Sequence, residues 1–233
     1  MQKKFLEIQH QLSKCLIIPD DEQPLPVSAE DLIFTFDIQY HENIGYLAID
    51  VRRWQSEAVG VFTGAYLVTT AYQPGFFAFR EGPVLQKGLE DLMEQTGFRP
   101  SLLVIDGHGT AHPRKLGVAS WLGIQTDFPS IGVAKETLVK YTGELGETAG
   151  ATLPVTIGTP PETVGYVLRS QDGVNPIFVS CGHRVSQQNA VKIALELRSE
   201  YRLIEPIRNA DQAARLLAKG AKGELVSGTF VRA

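Results

Sequence analysis

Three strand-like runs crowd the first third of the chain, Asp31–Tyr40, Ile44–Trp54 and Val59–Thr70, with polar connectors no longer than His41-Glu42-Asn43 and Gln55-Ser56-Glu57 between them. Connectors that short cannot carry a crossover, so neighbouring runs must pair antiparallel. The pattern then changes. Val84–Thr96 has helical spacing, with Pro83 near its start and Gly97 at its end. It leads into the apolar run Leu102–Ile105, which a helical crossover returns parallel to an earlier strand. Leu116–Leu122 reads as a short helix and Ser130–Val133 as a buried strand. Thr163–Arg169 and Ile177–Ser180 read as strands, Val185–Tyr201 as a long helix, and Asp211–Lys219 as a last helix before a polar tail. At the other end, Phe5, Ile8, Leu12 and Leu16 give residues 2–16 the spacing of an amphipathic helix. Residues 141–162, rich in Gly, Thr and Pro, read as an exposed excursion.

This order is that of an α/β, ribonuclease H-like fold: a mixed central sheet, three antiparallel strands then parallel ones, flanked by helices. Residues 1–233 are expected to form one domain. With 43% hydrophobic and 21% charged residues the chain can bury a large core unaided. Cys15 and Cys181 are too few for a disulfide framework or a cysteine-rich zinc site. No apolar run reaches membrane-spanning length, and Met1-Gln2-Lys3-Lys4 is not followed by a signal-peptide core. The expected setting is cytoplasmic, with no membrane partner. A net charge of −4 counts against an indiscriminate nucleic-acid coat, but not against an enzyme with locally clustered basic residues.

In such a fold the first and fourth strands lie side by side, which sets Asp37 beside Asp106. Two carboxylates held close repel unless a cation joins them, so the pairing predicts a divalent metal. Asp37 lies in Ile33-Phe34-Thr35-Phe36-Asp37-Ile38, and Phe34 and Phe36 are expected to share its strand face. A carboxylate so placed must be paired, protonated or metal-bound. Asp106 is delivered by Val104-Ile105 into Gly107-His108-Gly109-Thr110-Ala111-His112-Pro113-Arg114-Lys115, where basic residues suit a phosphate. Two plainer readings stand beside this one. Gly107-x-Gly109 is two thirds of a dinucleotide fingerprint, but His112 blocks the third glycine position. Asp-Gly is also a common turn dipeptide.

Three further residues carry both an active and an ordinary explanation. Glu81 sits at an expected helix start, where an acid simply suits the dipole. Lys135, after Ser130-Ile131-Gly132-Val133, can steady a phosphate or a leaving oxygen, or be a solvated lysine. His183, in Gly182-His183-Arg184 between a strand and a helix, suits a metal ligand, a proton shuttle or a capping turn.

Taken together, the blocks Pro74-Gly75-Phe76-Phe77-Ala78-Phe79-Arg80-Glu81-Gly82-Pro83, Asp106 to Ser120, Ile131 to Lys135, Gly182-His183-Arg184 and Tyr201 to Arg208 resemble the endonuclease V family from about Asp31 to about Asp211. That resemblance implies a magnesium-dependent deoxyinosine 3′ endonuclease, with manganese able to substitute, that cuts the second phosphodiester 3′ to the lesion. It implies that Asp37, Asp106 and Glu81 hold the metal. Lys135 and His183 would assist the chemistry. Pro74, Gly75, Gly107, Gly109, His112 and Gly132 would approach an extruded base, and Tyr72 would be the wedge that fills its place. The implied partner is DNA containing deoxyinosine, with single-stranded nucleic acid and inosine RNA as alternatives, bound by a monomer. A non-catalytic binder of damaged nucleic acid is the rival, and it would need no cluster of acids. Two departures stand out: the wedge reads Ala71-Tyr72-Gln73-Pro74 instead of Pro-Tyr-Ile-Pro, and Phe34-Thr35-Phe36 precedes Asp37 where a smaller residue is expected.

Overall fold

In the computed structural model, which describes residues 2–233, helix α1 (Gln2–Ser13) precedes a three-stranded meander, β1 (Leu32–His41), β2 (Ile44–Arg53) and β3 (Ala58–Leu67). Both pairings are antiparallel, as the short connectors require. Helix α2 (Phe77–Thr96) crosses over to β4 (Leu102–Asp106), which lies parallel to β1. Helix α3 (Val118–Thr126) leads to β5 (Ser130–Ala134), parallel to β4. The chain continues through β6 (Thr152–Ile157), β7 (Glu162–Leu168), β8 (Ile177–His183), α4 (Gln187–Glu196), α5 (Glu205–Ala221) and β9 (Val226–Arg232). All nine strands join one sheet in the order β6-β7-β8-β5-β4-β1-β2-β3-β9.

Side-chain alternation along the strands feeds two cores. Phe34, Phe36 and Ile38 of β1 pack with Leu85, Leu89 and Leu92 of α2 and Leu122 of α3. Ile33, Leu102, Val104, Ile131 and Val133 pack on the other face with Ile193 of α4 and Ile207 of α5. Ala210 and Ala214 bring α5 close to Ala48 of β2. Small residues at this contact let the helix backbone lie low over β1 and β2.

Several boundaries differ from the sequence reading. Helix α2 starts at Phe77, seven residues before Val84, and takes Pro83 into its interior. The packing of the aromatic run outweighs the lost helical hydrogen bond: the Phe5 ring of α1 stacks 4.7 Å from Phe79 and lies 5.7 Å from Phe76. The helix read as Val185–Tyr201 runs only from Gln187 to Glu196, with Ser186 accepting the Asn189 N–H as its N-cap. Helix α5 begins at Glu205, not Asp211, with Pro206 in its first turn, a start signal the sequence reading passed over. The excursion 141–162 is irregular and mostly exposed only at first; from Thr152 it forms edge strand β6. The polar tail forms the opposite edge, β9, with alternate half-buried positions. Among the described residues no helix is long and apolar enough to cross a membrane.

Candidate active site

Four carboxylates and a lysine converge where β4 and β5 end, beside the middle of β1. The parallel register sets Phe36 beside Ile105, so Asp37 and Asp106 follow at the next step on adjacent strands. Lys135, one residue past β5, donates from Nζ to Asp106 Oδ2 at 2.8 Å. Glu81 arrives from the second turn of α2 and is 3% exposed. An acid at a helix start would be solvated and neighbourly to the dipole, so this burial removes its ordinary explanation. The fourth carboxylate is Asp211, from the middle of α5. Gln39 Nε2 donates both to Asp37 Oδ2, at 3.0 Å, and to Asp211 Oδ1, at 3.2 Å, and so bridges the two acids.

The face of β1 that carries Asp37 is not the one expected. Phe34 and Phe36 point into the α2 core, whereas Asp37, by period-two alternation, shares its face with Thr35 and Gln39 and looks toward α5. Asp37 is nonetheless 7% exposed. Its burial first, then the charges of Asp106 and Asp211, push its carboxyl up to about 7, while the Gln39 hydrogen bond and Lys135 pull the other way. Burial, then Asp37 and Asp106, hold Glu81 well above the usual carboxylate range against a small opposing pull from Arg80. Burial lowers the Lys135 ammonium, but the Asp106 hydrogen bond and charge outweigh it and the net displacement is upward.

Such an arrangement is unfavourable on its own and fits a cation. Glu81 Oε2 is buried with no hydrogen-bond partner among the described residues, and a buried carboxylate oxygen of this kind fits a cation. The donors are all carboxylate oxygens, which suit magnesium or manganese. Among the described residues no three His, Cys, Asp or Glu side chains already enclose a common point.

Beside the acids lies a cavity of about 360 Å³. Its lining includes Tyr72, Gly75 and Phe77 from the segment at the start of α2, Asp106, His108 and His112 from the end of β4 and the loop after it, and Lys135 after β5. Burial, joined by the Arg114 charge and by His108, lowers His112 to about 4, and burial lowers His108 to about 4, so both imidazoles are neutral at physiological pH. His112 Nδ1 accepts the Arg114 backbone N–H at 3.1 Å, which leaves the ring proton on Nε2 as a donor. Tyr72 is 63% exposed, with its ring 6.2 Å from that of Phe77 at 70°. It is therefore no core tyrosine. Pro74 is exposed and stands outside the cavity wall.

Two expected groups of residues lie elsewhere. Strand β8 runs antiparallel to β5, setting His183 opposite Ser130 and Phe178 opposite Ala134. His183 thus sits at the start of β5, while Lys135 follows its end. Its Nδ1 accepts the Ile17 N–H at 3.3 Å, and its Nε2 donates to Asp127 Oδ1 at 3.2 Å. It ties the segment after α1 to the end of α3. His183→Ala is expected to cost about 1–3 kcal/mol of stability from these two bonds, which thermal melts check. Gly109 and Gly132 also lie outside the cavity. A Cβ on Gly109 would stand 2.0 Å from the Cys181 carbonyl oxygen, and one on Gly132 2.5 Å from that of Gly107. These glycines let β5 and β8 approach the loop after β4, a packing reason separate from any ligand.

Three residues of this region were not found from sequence: Asp211, Gln39 and Arg202. Arg202 Nη2 donates to the Lys135 carbonyl at 2.6 Å and steadies the turn that carries the lysine. The Glu205-Pro206 helix start was the available signal for Asp211, since it sets that residue in mid-helix.

Residues 12–212 match the family model described as Endonuclease V. An endonuclease V of Rhodospirillum centenum is 45% identical over 68% of this chain, a stretch that spans 64% of that protein, just under two thirds of its length. The crystal structure of endonuclease V from Streptomyces avermitilis superposes with a TM-score of 0.84 at 32% identity, covering 96% of this chain and 95% of that one. That of Ciona intestinalis endonuclease V, in complex with a 24mer DNA containing an inosine followed by a ribo-adenosine, gives 0.82 at 25% identity, covering 94% of this chain and 98% of that one.

Proposed function

Because the chain belongs to the endonuclease V family, we propose that it is a metal-dependent endonuclease that recognises deoxyinosine in DNA and hydrolyses the second phosphodiester bond 3′ to it, leaving a 3′-hydroxyl and a 5′-phosphate. It works as one domain, as a monomer, in the cytoplasm. The observation that carries this reading is the position of Asp106, which lines the cavity and also holds Lys135 beside the other acids. A base seated in the cavity puts its own strand's phosphates next to the carboxylates.

Asp37 and Asp106 would hold the cation, with Glu81 and Asp211 completing its surroundings or orienting water. When bound, magnesium, or manganese in its place, supplies Lewis-acid polarisation of the phosphodiester and neutralises charge on the leaving oxygen. Lys135, held protonated beside Asp106, would donate a hydrogen bond or a proton to the leaving oxygen. His108 and His112, both neutral, suit an uncharged base that presents ring acceptors. Extrusion costs less for hypoxanthine than for adenine, because its pairing is weaker. Chelation of divalent ions is expected to abolish nicking of an inosine-containing oligonucleotide, and magnesium to restore it. Undiminished nicking in excess chelator would contradict the reading.

The ribo-adenosine that follows the inosine in the Ciona intestinalis complex supports a second substrate for the same site, inosine-containing RNA. A 2′-hydroxyl next to the lesion is then tolerated.

Tyr72 would fill the gap left by the extruded base. Stacking of this kind is worth roughly 1–3 kcal/mol, so Tyr72→Ala should weaken binding to an inosine duplex about tenfold. The loss should be smaller on a single strand, where less stacking is broken. Because the ring is exposed, the melting temperature should not move. Equal losses on both substrates in a binding titration would assign Tyr72 another role.

A further inference from the structure

Helix α1 is an exposed amphipathic helix whose one buried residue is polar, Gln9. Gln9 is 0% exposed, and both ends of its amide are used. Nε2 donates to the Gly75 carbonyl at 3.0 Å, and Oε1 accepts from Arg114 Nε. Arg114 Nη2 donates to the same Gly75 carbonyl. Three segments distant in sequence, α1, the loop before α2 and the loop after β4, are closed into one ring of hydrogen bonds that meets the cavity lining at Gly75. The Arg114 guanidinium also lies 4.8 Å over the Phe76 ring. Gly75 has a φ of 79°, and a Cβ there would meet Arg114 Nη2 at 2.7 Å.

Arg114 therefore contacts two residues of the cavity lining: its side chain donates to the Gly75 carbonyl, and its backbone N–H fixes the tautomer of His112. An apolar residue at position 9 would dock α1 at no polar desolvation cost. The amide instead supplies geometry. We infer that Gln9 and Arg114 are positioning residues for base recognition, holding the Gly75 loop against His112 so that the cavity is formed before the base arrives. They set the preference for inosine over adenine and not the rate of bond cleavage. This rests on the inosine reading above.

The test compares wild type, Gln9→Leu, Gln9→Glu and Arg114→Lys on single strands that differ only in one inosine or adenine. Affinity is measured in calcium and the saturated single-turnover rate in magnesium. Gln9→Leu keeps the buried volume but removes both hydrogen bonds. It is expected to lose about tenfold in inosine affinity, the scale of a lost buried hydrogen bond, with adenine affinity and the single-turnover rate within about twofold of wild type. Gln9→Glu keeps the Arg114 contact and should recover part of the preference. Unchanged preference in Gln9→Leu, or equal losses on both strands with a lower melting temperature, would reduce Gln9 to a docking contact and overturn the inference. Should Gln9→Leu fail to fold, Arg114→Lys, which leaves α1 unaltered, decides: undiminished preference there overturns it equally. A wild type with no preference removes the functional reading and this inference together, a result distinct from a discriminating wild type beside an equally discriminating variant.

Discussion

Asp37→Asn is expected to give a protein that no longer nicks inosine-containing DNA in magnesium and that, without metal, melts at a higher temperature than wild type at pH 8. The two effects have one cause. Burial, Asp106 and Asp211 raise the Asp37 carboxyl to about 7, so the folded protein holds a proton that the unfolded chain releases near the usual carboxylate range. A raised acid binds more protons in the folded state, so stability falls as pH climbs from about 4 to about 7, and the full cost is present above that window. Its size is on the order of 4 kcal/mol as an upper bound. The asparagine keeps the side chain's shape and an oxygen for Gln39 Nε2 but carries no charge. The stability gap between variant and wild type should therefore widen between pH 5 and pH 8 in chelator, and magnesium should raise the wild-type melting temperature alone. A gap independent of pH, or retained cleavage, would remove Asp37 from the acidic cluster.

Gly109→Ala should be severely destabilising. The added carbon would stand 2.0 Å from the Cys181 carbonyl oxygen and 2.6 Å from its carbon, and backbone cannot move aside as a side chain can. That stretch of β8 is further held by Thr110 N–H on the Cys181 carbonyl at 2.8 Å and by Gly109 N–H on Ser180 Oγ at 2.9 Å. Forcing β8 away costs about 3 kcal/mol or more, or roughly 6–12 °C in melting temperature for a chain of this size. Gly107→Ala comes closest to Val118 Cγ1, at 2.7 Å, a side chain that can shift, and should be milder. Thermal melts of the two variants settle the order. If Gly109 approached the base, its alanine variant would instead lose binding at an unchanged melting temperature.

The pairing of Asp37 with Asp106 was legible because element order alone sets β1 beside β4, and the hydrophobic runs set Asp37 inside β1 and Asp106 at the end of β4. Asp211 was not legible, since a late helix start makes it look like an ordinary N-terminal acid. His183 misled for a related reason. Its motif between a strand and a helix resembles a site loop, but a local pattern does not say which end of the sheet a strand reaches. Reading the later strands as parallel would put the end of β8 near Asp106; the antiparallel pairing with β5 carries it to the other end. The glycines show the same limit: a glycine needed for backbone contact and one needed for ligand contact are identical in sequence. Gln39 and Gln9 escape notice because a glutamine on a strand or a surface helix is ordinary until its partners are known.

The most direct measurement incubates matched DNA and RNA oligonucleotides, with and without one inosine, with magnesium and maps the ends of the products. A single nick is expected at the second phosphodiester 3′ to inosine, with a 3′-hydroxyl and a 5′-phosphate, and none on the adenine strand. Equal cleavage of both strands, or tight inosine binding with no nick in magnesium, would contradict the account.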